Sequence, residues 1–241
     1  MIEILDVTKS YNGNKIAVNG LNLTIQNGEI FGFLGPNGAG KSTTIKMMTG
    51  INSIDKGTIR IKGKEIQKEP LEVKKSFGYV PDSPDLFLRL KGIEYLNFMA
   101  DMYEVPAALR KERIRSLSEQ LGIASALSDQ IQSYSHGMRQ KVVIIGALLH
   151  EPDVWILDEP LTGLDPKSSF LLKQMMREHA DKGKIVFFST HVLEVAEKLC
   201  DRVGIIHNGT LQFCGNMNEM REHFSENESL EKMFLEMTDH V

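Results

Sequence analysis

Apolar and polar residues alternate along much of the first third of the chain. "IEILDVT" (Ile2 to Thr8), "LNLTI" (Leu21 to Ile25) and "GTIRIKGKEI" (Gly57 to Ile66) carry a period of two, which predicts half-exposed strands. The turn signals "NGN" (Asn12 to Asn14) and "NG" (Asn27, Gly28) separate the early ones. "GEIFGFLG", "FGYVP", "DVWILDEP", "KIVFFST" and "RVGIIHNG" predict further strands. Within them "VWIL" and "IVFF" are continuously apolar, as in strands covered on both faces of a parallel sheet. Between Asp82 and Gln140 the period becomes helical, in "IEYLNFMADMY" and "LRKERIRSLSEQLG", with Pro106 breaking between them and Gly122 ending the second.

The expected organisation is a single domain over residues 1–241. An α/β core of residues 1–81 and 141–215 holds a mixed, mainly parallel sheet with an N-terminal antiparallel part. An all-helical subdomain, 82–140, is inserted into it, and a helical tail covers 216–241. In the tail Leu230, Met233, Phe234 and Met237 are spaced for one face, which either packs on the core or docks a partner.

Composition narrows the function classes. The 241 residues hold 28 Lys+Arg against 32 Asp+Glu, a net charge of -4, without the basic excess that nucleic-acid binding requires. The basic run "RKERIR" (Arg110 to Arg115) is interrupted by Glu112 and predicts a solvated helix face. Cys200 and Cys214 form no CxxC pair, in keeping with a reducing compartment. The N-terminus has no signal-peptide pattern, and the apolar run "VVIIGALL" (Val142 to Leu149) is too short to span a bilayer. A cytoplasmic location is therefore expected, with any membrane spans supplied by another chain.

Chemistry enters at "GPNGAGKST", which follows a predicted strand and opens a helix. Gly35, Pro36, Asn37, Gly38, Ala39 and Gly40 let backbone N–H groups turn inward around phosphate oxygens, with the helix N-terminus adding positive charge. Lys41 is placed to reach the β- and γ-phosphates, the Ser42 hydroxyl to ligate Mg²⁺, and Thr43 continues the loop. These residues assign the core to the P-loop NTPases, with ATP and Mg²⁺ as cofactors. Asp158 and Glu159 end the buried run "VWIL", at the sheet edge where α/β proteins bind ligands. Asp158 suits the metal, and Glu159 suits a general base toward water. His191, ending "FFSTH", is placed to hydrogen-bond the γ-phosphate. A second anion-binding helix start, "SYSHGMRQK" (Ser133 to Lys141), lies almost a hundred residues after the first.

In this order the motifs resemble the ATP-binding subunits of ABC transporters over nearly the whole chain. "YSHGMRQK" is similar to that family's signature motif, with His136 in place of a common glycine and Met138 of a common glutamine. The resemblance implies two copies paired head to tail, so that Ser135 and Gly137 of one touch the γ-phosphate held by the other. It places Asp165 of "LTGLDP" at the dimer seam and Tyr11 on the adenine. It also puts Asp82 where the family usually has a glutamine that meets Mg²⁺ and the attacking water. Further implied are an integral membrane permease as partner, a site on the inner face of the plasma membrane, and export of a drug, peptide or lipid-like substrate. "SPDLFLRL" (Ser83 to Leu90) either lines the permease groove or packs inside the helical subdomain. A soluble ABC ATPase in assembly, of the iron–sulfur biogenesis kind, is the alternative. The signature and Glu159 argue against a kinase, and the missing NKxD stretch against a GTPase.

Overall fold

The computed structural model describes residues 1–11, 15–223 and 234. Strands β1 (Ile2–Tyr11), β2 (Lys15–Ile25), β4 (Lys56–Ile61) and β5 (Lys64–Glu65) form an antiparallel sheet in the order β2-β1-β4-β5. The period of two becomes burial here. Ile2 pairs with Ile25 and Ile61, Ile4 with Leu23 and Ile59, and all six are buried. Past Ile4 the register slips, and Gly57 (φ 85°) crosses so close to Leu5 and Asp6 that a Cβ would overlap their carbonyl oxygens.

The second sheet has the order β10-β9-β3-β8-β7-β6. It comprises β3 (Ile30–Leu34), β6 (Phe77–Val80), β7 (Val154–Leu157), β8 (Ile185–Thr190), β9 (Arg202–His207) and β10 (Thr210–Gly215). All neighbours are parallel except β10, which returns antiparallel on β9. The expected mixed, mainly parallel architecture is present. Every residue of β3, β7 and β8 is buried, because helices cover one face and the first sheet covers the other. Within β7, Val154 and Ile156 join the core under the first sheet, whereas Trp155 and Leu157 join the helix-covered core.

The helices are α1 (Lys41–Met48), α2 (Pro70–Lys75), α3 (Gly92–Met102), α4 (Ala107–Gln120), α5 (His136–Leu148), α6 (Pro166–Asp181), α7 (Leu193–Leu199) and α8 (Met217–His223). Pro106 sits immediately before α4, and Gly122 ends it in a left-handed turn (φ 68°). Residues 82–140 contain α3, α4, two single 3₁₀ turns and the first residues of α5. Helix α5 runs past Gln140 to Leu148, and its buried Val142, Val143, Ile144 and Ile145 tie Tyr95, Leu96 and Ile114 to Trp155 and Phe188 in one core. The helical segment therefore shares the core of the sheet.

Four local readings change. The run Arg110 to Arg115 is not simply a solvated face: Arg113 donates to Leu149 O at 2.7 Å and pairs with Glu151, while Arg110 pairs with Asp101. Edge strand β10 and helix α2 were not anticipated. In the tail, α8 forms and Phe234 packs on the small core of Leu34, Ala196, Ile205 and Met220, whereas Leu230, Met233 and Met237 lie outside the described residues. "LFL" splits: Leu88 packs on the core, while Leu86 and Phe87 stay exposed, with the Phe87 ring 5.6 Å from Tyr95 and 5.5 Å from Phe98.

Candidate active site

The loop after β3 needs its glycines for contact reasons. A Cβ on Gly35 would overlap the carbonyl oxygen of Ile206, and one on Gly40 (φ 113°) that of Ala17. Gly40 caps α1 without a side chain, and the first turn of α1 holds no acidic residue. The positive end of the helix thus stays open to an anion. Lys41 is 6% exposed. Its ammonium donates to Gly35 O at 2.7 Å and Pro36 O at 3.3 Å, and lies 3.5 Å from Glu159 Oε1. These are the partners that a buried cation needs.

Opposite the loop, the two acids do separate jobs. Asp158 Oδ1 accepts from Ser42 Oγ at 3.2 Å and from Ser189 Oγ at 2.6 Å. Ser42 and Asp158 together present hard oxygens of the kind Mg²⁺ takes. The Glu159 carboxylate has different partners, Lys41 at 3.5 Å and His191 Nδ1 at 3.0 Å. The Glu159 backbone is left-handed (φ 46°), which swings its side chain off the strand direction. His191 is thus placed on Glu159, and the two line a smaller pocket of about 190 Å³ with Thr190 and Val192.

A cleft of about 550 Å³ is lined by Tyr11, Pro36, Asn37, Gly38, Gly40, Lys41, Ser42, Thr43, Asp82 and Glu159, and also by Lys15, Asn208 and Gly209. Ala39 is buried beneath the loop. Tyr11 sits at the cleft edge, where its hydroxyl accepts from Asn52 Nδ2 at 2.6 Å and Lys9 Nζ stands 5.8 Å from its ring centroid. Asp82 brings a carboxylate to the same wall, and among the described residues it has no hydrogen bond or ion pair. Sequence reasoning overlooked Ser189, Asn52 and Asn208. Only the turn "HNG" and the polar end of "FFSTH" marked two of these positions.

The second anion-binding helix start is elsewhere. Ser135 caps α5, with Met138 N–H donating to its Oγ at 3.3 Å, and His136 keeps ordinary helical φ, which its replacement of glycine requires. Neither Ser135, Gly137 nor Asp165 lines the 550 Å³ cleft. The two cations of the motif are already engaged. Arg139 donates to Asp85, Ile131 O and Gln132 O, and Lys141 lies 3.7 Å from Asp165. Asp165 caps α6 by accepting from the Ser168 hydroxyl and, at 3.0 Å, from the Ser168 N–H. The hydroxyl bond above all, then the amide, holds its carboxyl down at about 2. The His136 ring rests on Gly163 (φ 75°), which brings the start of α5 against the loop before α6. Cys200 Sγ packs against Gly32, whereas the exposed Cys214 accepts a hydrogen bond from Arg202 at 3.2 Å.

The ABC transporter family model matches residues 18–162, from β2 through the two acids to the loop before α6. The chain belongs to the ABC transporter family. EcsA of Bacillus subtilis (strain 168), an ABC-type transporter ATP-binding protein, is 35% identical over 239 residues, covering 99% of this chain and 96% of its own. The linearmycin resistance ATP-binding protein LnrL of the same organism is 36% identical over 91% of this chain and 70% of its own length. A solved ATP binding subunit of an ABC transporter superposes with a TM-score of 0.93 at 33% identity, covering 98% of this chain and 99% of that one. This ABC transporter subunit is an ATPase. Among the described residues no helix is long and apolar enough to cross a membrane.

Proposed function

We propose that the chain is the ATP-hydrolysing subunit of an exporter whose permease is a separate polypeptide, working from the inner face of the plasma membrane. Its cargo is a drug, peptide or lipid-like compound. The resistance function in LnrL's name supports export. The family supports a membrane permease as partner, and Leu86, Phe87 and Phe98 offer an exposed apolar surface beside the Asp82 loop for it.

One observation carries the mechanism: a helix start shaped for an anion, Ser135 to Gly137, has no place in its own chain's nucleotide cleft. In a head-to-tail pair it faces the γ-phosphate held by the other copy. Loop amides and Lys41 hold the β- and γ-phosphates and orient the terminal one. Glu159 takes a proton from the attacking water, while His191, bonded to its Oε2, fixes the carboxylate. Ser42 and Asp158 would hold Mg²⁺, with Asp82 reaching it through water. Bound there, Mg²⁺ supplies positive charge to the transferring phosphoryl group. Tyr11 stacks on the adenine. Loss of the γ-phosphate removes the contacts shared across the seam, and the pair opens.

Two tests follow. Glu159→Gln forms a stable dimer with ATP and Mg²⁺ by light scattering, and adding Ser135→Arg abolishes it; a Glu159→Gln variant that stays monomeric with ATP and Mg²⁺ contradicts head-to-tail closure. In a host lacking the chain, the wild type restores resistance to at least one drug, peptide or lipid-like compound and Glu159→Gln does not. Unchanged susceptibility with impaired nutrient uptake overturns export.

A further inference from the structure

We propose that Ser189 is a positioning residue for hydrolysis, its hydroxyl locking the metal-side acid and the base into one rigid unit. This rests on ATP hydrolysis at the site and is independent of export. Ser189 lies near the end of β8 and is fully buried. Its hydroxyl both donates and accepts, on the two residues that follow the end of β7: it donates to Asp158 Oδ1 at 2.6 Å and accepts from the Glu159 N–H at 2.9 Å.

The backbone shows why the link is needed. The Asp158 N–H makes the last rung to β6, bonding Val80 O at 2.9 Å. One residue later the chain turns left-handed at Glu159 (φ 46°), a geometry that costs a non-glycine residue free energy unless its surroundings hold it. By the ordinary alternation along a strand, the Glu159 N–H points away from β6 and meets the Ser189 hydroxyl on the β8 side, while the left-handed φ re-aims the Glu159 side chain. Two residues further along the chain from Ser189, His191 binds the Glu159 carboxylate at 3.0 Å. The base is therefore gripped at its amide and at its carboxylate by a single strand end. The same hydroxyl fixes Asp158 more closely than Ser42 does at 3.2 Å, so Asp158 keeps its orientation when Ser42 rotates toward a ligand. A misplacement of even 1 Å at such a site costs about 100-fold in rate.

The test compares Ser189→Ala and Ser189→Thr with the wild type. The alanine variant is expected to lose about 10- to 100-fold in kcat, with a KM change under about threefold. ATP affinity without divalent cation stays within about twofold, because the hydroxyl does not line the nucleotide cleft. Titration with Mn²⁺ in the presence of a non-hydrolysable ATP analogue, followed by electron paramagnetic resonance, gives half-saturation raised about fivefold or more. The threonine variant, which keeps the hydroxyl, returns kcat and Mn²⁺ affinity to within about threefold of wild type. Wild-type kcat and Mn²⁺ binding in the alanine variant overturn the proposal. So does a threonine variant as impaired as the alanine one while melting at the wild-type temperature. A wild type without turnover contradicts hydrolysis at this cleft instead, and the Mn²⁺ titration then still decides the role of Ser189.

Discussion

Replacing Lys41 with methionine keeps most of the side-chain stem buried in α1 and removes only the ammonium. That ammonium has two carbonyl partners, Gly35 O and Pro36 O, and the Glu159 carboxylate 3.5 Å away. Binding exchanges the carbonyls for phosphate oxygens, so the variant loses a charge-assisted contact of about 1.5–3 kcal/mol. At about 1.4 kcal/mol per decade, the ATP dissociation constant rises about 10- to 150-fold. The effect has a chemical signature as well as a size. With Lys41 on the β- and γ-phosphates, as proposed, ATP and ADP weaken while AMP does not. Removing the cation also strips the half-buried Glu159 of a partner, which lowers the stability of the empty protein. Titration with a fluorescent nucleotide and competition by ATP, ADP and AMP measures all three affinities. An ATP affinity within threefold of wild type, or an equal loss for AMP, refutes the placement of Lys41.

Three further outcomes follow from the geometry. Asp82→Gln removes a negative charge beside the γ-phosphate and raises turnover about threefold to tenfold at low Mg²⁺, with a flatter Mg²⁺ dependence; identical Mg²⁺ curves would remove Asp82 from the metal. Gly163→Ala places a side chain at φ 75° against the His136 ring and costs about 1–3 kcal/mol in urea unfolding. In a His136→Gly background the cost falls to the backbone share of about 1 kcal/mol, and equal costs in both backgrounds contradict the contact. His179, buried beside Trp155, has its imidazole pushed down to about 4 by burial, with Lys184 and Lys182 adding to it. The folded protein therefore resists a proton that the unfolded chain accepts below about 6.5, so this residue destabilises the fold as pH drops from 6.5 toward 4. Unfolding free energies at pH 7 and pH 5 show the loss, which His179→Phe reduces by about 1–2 kcal/mol; an unchanged slope contradicts the burial effect.

Much of this molecule is legible in its sequence because its signals are local. The runs "VWIL" and "IVFF" declare strands covered on both faces, and β7 and β8 are buried at every residue. "GPNGAGKST" declares its own loop, since Gly35 and Gly40 face carbonyl oxygens that no side chain could share. What escaped the reading depends on partners distant in the chain. Ser189 is one serine among many until β8 pairs with β7 and sets it beside Asp158. Asn52 finds Tyr11 only because the loop after α1 folds back on β1. Arg139 and Lys141 look like anion ligands in sequence, but Asp85 and Asp165 reach them first. β10 was missed because an edge strand buries little: its alternation rests on only two half-buried apolar residues, Leu211 and Phe213.

The central claim is that one chain holds half of each catalytic site. Specific ATPase activity of the wild type, measured at saturating ATP and Mg²⁺ over a dilution series spanning about three decades of protein concentration, tests it most directly. Turnover per chain is expected to fall steeply on dilution, as pairs separate. Turnover that stays constant down to concentrations where light scattering sees only single chains would contradict it.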